Sequence, residues 1–214
     1  MEPISKSNLE GLTNSIYAFT MTLMVRNIQT PQAGSLVSDA ALQNYFVNTF
    51  LSVLDFIGAF LILGMFWLFF YQMFRRMKTY DSNFLYLHLL SLMIVVFVPF
   101  TQGFTNDFTT LSAGEFLFQA NYLVLAILLT CMWYYARTHP VLLVPELTEE
   151  EASFLAKKFL VPLGVSVLGV ILLIAGFGYI DILYLLPFII LLVFFRHPPE
   201  EGTAEKKTAE CPRI

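Results

Sequence analysis

Residues 8–27, NLEGLTNSIYAFTMTLMVRN, carry hydroxyls at Thr13, Ser15, Thr20 and Thr22 within a mainly apolar run that ends on Arg26. A hydroxyl oxygen can replace part of an ion's water shell, and it can equally bond to a neighbouring helix. The other long apolar runs hold few polar groups, chiefly Asp55, Gln72, His88, Ser91, Gln119 and Asn121. A charge or amide in hydrocarbon is costly unless paired or wetted, so each needs a role. Asp55 reads either as an ion or proton site or as a structural acid near one interface. Gln72 lies beside Arg75 and Arg76, where interfacial hydration is enough. His88, Ser91, Gln119 and Asn121 suit interhelical hydrogen bonding better than ligation.

Catalytic chemistry has little to stand on. His88, His139 and His197 are far apart and lack a Cys or carboxylate at ligand spacing, so neither a metal site nor any other cofactor is expected. No phosphate-cradling loop, nucleophile elbow or metalloprotease motif occurs, and an enzyme is not expected. Cys131 falls in an apolar run and Cys211 near the C-terminus, and no disulfide is expected between them. The net charge of −4 comes mainly from acids in PELTEEEAS and in the last residues, a pattern that does not describe a nucleic-acid surface.

The elements that position these groups are membrane helices. Of 214 residues, 57% are hydrophobic and only 13% charged, too little charge for a soluble surface. A bilayer core of about 30 Å asks for about 20 mostly apolar residues per helical crossing. Crossings are expected at about residues 9–28, 46–73, 84–101, 116–136, 157–177 and 180–196, with Pro99-Phe100 closing the third. Residues 1–196 then form one six-helix domain of the all-α class, and 197–214, without apolar periodicity, form a disordered tail. The apolar runs do not alternate, which argues against a β-barrel. The short GYID between the last two crossings predicts an antiparallel hairpin, and Thr148 with Glu151 predicts a capping box at the start of the fifth helix. The first helix is expected to stay in place rather than be cleaved as a signal. Placing both termini in the cytoplasm puts eleven of twelve Lys and Arg residues inside and leaves Arg26 alone outside.

Within the first helix, Leu12, Ile16, Phe19, Leu23 and Arg26 fall on one stripe, flanked by Thr22. Periodicity alone makes such a stripe a packing seam. The stretch NLEGLTNSIYAFTMTLMV, however, resembles the first helix of the transmembrane protein 175 family of potassium channels. The segment GMFWLFFYQMFRRMKTYDSNFLYLHLLSLMIVVFVPF, with Trp67 before the basic loop, is similar to that family's second and third helices. FQANYLVLAILLTCMWYYARTHPVL, with Asn121 and WYYAR, is similar to its fourth. The resemblance runs from residue 8 to about 143.

It implies a homotetramer in which the first helix of each subunit lines one central pore, without the TVGYG carbonyl filter. By position, Phe19 and Leu23 would form apolar constriction rings and Thr22 a hydroxyl layer, with Thr20 as a further hydroxyl. Trp67, His88 and Asn121 would give polar support between helices. The permeant species would be potassium or another monovalent cation. The setting, by the same resemblance, would be a cell membrane.

This chain departs from the family signature of Arg, three residues, then Phe-Ser-Asp. It has Asn8 for the Arg and Leu12, Thr13 and Asn14 for the triplet, so both charges are missing together. Arg26 at the outer mouth is a second departure, since at about 10 Å each guanidinium pair costs about 0.4 kcal/mol even in water. Pairing of Arg26 with Asp39, Asp107, Glu115 or Asp181 is the expected relief, with snorkelling into outer water as the alternative. Passive cation conduction is the reading this supports. A proton-linked transporter using Asp55 or His88, and a non-conducting membrane assembly, are the competing readings.

Overall fold

A computed structural model describes residues 5–28, 30–31, 38–107, 112–176 and 186–194, and every described segment of length is helical. The helices are α1 (Lys6–Leu23), α2 (Asp39–Arg75), α3 (Ser82–Asp107), α4 (Ser112–Thr138), α5 (Glu149–Ile174) and α6 (Leu186–Phe194). Short 3-10 turns at Met24–Asn27 and Pro140–Leu142 follow α1 and α4. Among the described residues four helices, α2 to α5, are long and apolar enough to cross a membrane. Of the sixth expected crossing, 180–196, residues 186–194 are described, as α6, while the GYID connection, the tail and Cys211 lie outside the described residues.

The helices outrun the apolar stretches because capping residues extend them into polar sequence. Ser5 accepts the Asn8 N–H, Ser38 accepts the Ala41 N–H, and Asp81 Oδ1 accepts the Phe84 N–H at 3.0 Å. Thr148 accepts the Glu151 N–H at 3.2 Å, one half of the expected capping box, while the Glu151 carboxylate accepts from Arg76. Pro99 does not close α3, contrary to expectation; the helix runs through it to Asp107. A proline removes one backbone donor, and polar groups of neighbouring helices can make up the loss within a bundle. The carbonyl so freed is that of Val95, one turn earlier; the Pro99 carbonyl itself accepts from Asn27 Nδ2 at 2.8 Å, a contact that joins α3 to the end of α1.

α3, α4 and α5 pack as consecutive antiparallel neighbours, and α1 lies against α2 and α3. Aromatic edges knit the bundle: Phe66 of α2 meets Tyr122 of α4 at 5.4 Å, and Phe159 of α5 meets both Phe69 and Trp133 within 5.5 Å. Trp133 also donates its ring N–H to the Ala152 carbonyl.

At the basic end, the α2–α3 and α4–α5 connections are joined by an antiparallel bridge between Met77 and Leu143. Lys78 N–H donates to the Leu142 carbonyl and Val144 N–H to that of Arg76. Two ion pairs close the joint, Arg76 with Glu151 and Arg137 with Glu149. Lys6 Nζ donates to the Met77 carbonyl at 2.9 Å, which ties the first turn of α1 to the same joint.

Candidate functional site

α1 has two unlike faces. Leu9, Thr13, Tyr17, Thr20 and Met24, spaced four, four, three and four residues apart, are all buried. Asn8, Leu12, Ser15, Phe19, Thr22 and Arg26 form the opposite face and are exposed, Phe19 by 62%. The stripe expected from spacing is therefore split. Leu12, Phe19 and Arg26 lie on the open face with Thr22, whereas Ile16 and Leu23 are half-buried at its margin. Thr20 does not join Thr22; it is 1% exposed and points into the bundle. Thr22 donates its hydroxyl proton to the Phe19 carbonyl and Ser15 to that of Gly11, both at 2.8 Å. A hydroxyl that satisfies its proton in this way keeps its oxygen lone pairs for an outside partner.

The orientation of α1 is set by side chains from the signature region. Thr13 Oγ1 lies 2.8 Å from the Leu9 carbonyl and 2.7 Å from His88 Nε2 on α3. The carbonyl can only accept, so the one hydroxyl proton goes there and Nε2 must carry a hydrogen and donate to Oγ1. Ser91 Oγ is 2.7 Å from the His88 carbonyl and 3.4 Å from Nδ1, which this tautomer leaves as an acceptor. Phe70 and Phe74 pack edge-on to the imidazole. Trp67 Nε1 on α2 donates to Asn14 Oδ1 at 2.8 Å and stacks on Tyr71. Thr13 and Asn14 thus hold α3 and α2 through neutral groups. Asn8 sits in the first turn, its backbone N–H capped by Ser5.

Two supports escaped sequence reasoning. Asn27 Nδ2, besides reaching Pro99, approaches Gln102 Oε1 at 3.2 Å, pinning the far end of α1 to α3. Lys6 does the same at the near end through Met77. Neither has a local sequence signal, because the partners are more than seventy residues away. Asn121 donates weakly to Thr101 at 3.4 Å, linking α4 to α3 and not to α1. Asp55 lies on an exposed part of the first half of α2. Gln72 has more than hydration around it: Lys158 of α5 donates to its side-chain oxygen at 2.9 Å.

Arg26 is exposed and belongs to neither of the two ion pairs among the described residues. Pairing with Asp39 or Glu115 does not occur; the Asp107 side chain and Asp181 lie outside the described residues. Arg26 is on the same open face as Phe19 and Thr22.

The family described as endosomal/lysosomal potassium channel TMEM175 matches residues 8–99, from the first turn of α1 to Pro99 of α3. A potassium channel of Chamaesiphon minutus is 24% identical over 161 residues, covering 74% of this chain and 79% of its own. The crystal structure of a lysosomal potassium-selective channel TMEM175 homolog from the same organism superposes with a TM-score of 0.75 at 20% identity. It covers 87% of this chain and 96% of that one. The chain matches the TMEM175 family model over residues 8–99 and shares the fold of that solved homolog. Its helices follow the TMEM175 channel fold, and the relatives are named as channels rather than enzymes.

Proposed function

We propose that this chain is a member of the TMEM175 family and forms a homotetrameric, potassium-conducting channel whose pore is lined by the open face of α1. The observation that carries the reading is the polarity of that face. α1 turns one side to its own bundle and leaves Asn8, Ser15, Thr22 and Arg26 exposed on the other, among Leu12 and Phe19. Lipid is a poor neighbour for amides, hydroxyls and a guanidinium, whereas a wet axis shared by four copies suits all of them. α1 also falls short of the apolarity of α2 to α5, consistent with a helix walled in by protein and water.

On this reading Phe19 is the principal apolar constriction, with half-buried Leu23 at its margin, and Thr22 supplies oxygen to a partly dehydrated cation. Arg26 sets a positive collar at the outer mouth. The assembly sits in the cell membrane with six crossings per subunit and both termini in the cytoplasm, as the distribution of Lys and Arg favours. The relatives' printed descriptions as potassium channels support potassium as the permeant ion.

The test is reconstitution into liposomes with a potassium gradient and no proton gradient. Current whose reversal potential follows potassium supports the proposal. Flux that needs a proton gradient points to a transporter, and silence from verified tetramers points to a non-conducting assembly. Cross-linking of a cysteine placed at Phe19 between subunits checks the axis independently, because such a link forms only where the open faces meet.

A further inference from the structure

We propose that the basic ends of α2 and α5 form a binding site for the phosphate headgroup of an anionic phospholipid, held by Lys158, Arg75 and Lys157. The inference rests on α2 and α5 spanning a membrane and is independent of conduction. Besides Lys6, which donates to the Met77 carbonyl, and Lys78 in the loop after α2, the cations at this end fall into two groups. Arg76 and Arg137 are matched by Glu151 and Glu149. Lys158, Arg75 and Lys157 have no carboxylate within ion-pair distance among the described residues.

Lys158 is the telling member. It is half-buried between the two helices, and its one polar contact among the described residues is with the neutral side chain of Gln72 at 2.9 Å. An ammonium has three donors, so two N–H groups remain to be met, and a phosphate oxygen meets them with charge that the amide lacks. Arg75 lies one helical turn from Gln72 on α2, exposed, with its guanidinium 6.0 Å from the centre of the Tyr71 ring. Lys157 adds an exposed charge from α5, and exposed Glu150 is two turns nearer the helix start, about 10 Å away along the axis.

The helices meet here through long side chains, Phe69 on Phe159 and Arg76 on Glu151, with the Gln72–Lys158 contact between them. A free phosphate could use the same donors. A lipid is favoured because exposed Leu68 and Tyr71 of α2 and Leu160 of α5 offer apolar surface for acyl chains at the same level. Basic pockets between helices on the cytoplasmic side are the setting in which such headgroups bind.

The experiment uses the full chain in neutral detergent, with phosphatidylglycerol or phosphatidylcholine added. Native mass spectrometry counts retained lipid, and melting is followed in parallel, with glycerol phosphate as the soluble headgroup. Wild type should retain phosphatidylglycerol in preference to phosphatidylcholine and melt higher with it, while glycerol phosphate leaves the melting point unchanged. The exposed-site variants Arg75→Gln and Lys157→Gln, whose folding does not depend on those charges, should each weaken retention about fivefold. Lys158→Gln should weaken it at least as much. Equal retention of the two lipids by wild type, or an undiminished preference in Arg75→Gln/Lys158→Gln, overturns the site. An equal melting shift with glycerol phosphate overturns the lipid as its ligand.

Discussion

The bond between Thr13 and His88 should decide how α1 is rotated against the bundle, and its worth can be worked out from the geometry. Both residues are buried, Thr13 at 2% exposure and His88 at 0%. Thr13→Val keeps the side-chain shape and removes the acceptor of the Nε2 hydrogen, 2.7 Å away. Leaving a buried donor unmet costs about 1–3 kcal/mol in soluble proteins, while interhelical bonds in membranes measure closer to about 0.6, with about 1.7 as an upper value. We therefore expect Thr13→Val to lose about 1–2 kcal/mol. His88→Leu removes the ring contacts with Phe70 and Phe74 as well and should lose more. In Thr13→Val/His88→Leu neither partner is stranded, so the double variant should be more stable than the two single losses added together, by about 0.6–1.7 kcal/mol. Reversible unfolding in mixed micelles, read for all four proteins, measures that coupling. Strict additivity would refute the argument, because it would mean that the two groups do not share the hydrogen.

Three further outcomes follow from the same helix. Phe19→Ala removes the bulkiest side chain of the open face, so single-channel conductance and resting leak should rise with little loss of stability; a seam packed on protein would instead melt earlier. Arg26→Gln should increase inward cation current, with the larger effect at low salt, where a collar of guanidiniums is least screened; salt-independent current would remove Arg26 from the ion path. Trp67→Phe takes away the donor to Asn14, and it should cost about 1 kcal/mol in the same unfolding assay while Asn14→Ala in that background costs little more.

The sequence by itself determined the class of molecule and the order of its helices, because twenty-residue apolar runs and one-sided positive charge are local properties that no tertiary contact can reverse. The likeness to channels around residues 8–99 was legible for the same reason, resting on residues close together in the chain. Which side of α1 faces outward was a different kind of question. Spacing could group Leu12, Ile16, Phe19, Leu23 and Arg26, but it could not say that the bundle would take in Ile16 in part and Thr20 entirely. That depended on His88 and Trp67 reaching Thr13 and Asn14 from other helices, 75 and 53 residues along the chain. Pro99 shows the same division: a helix end is expected there from the sequence, and α3 runs through it to Asp107. Hydrophobicity is summed along the chain and can be read there, whereas a helix's rotation is chosen by partners distant in sequence and exists only once they have met.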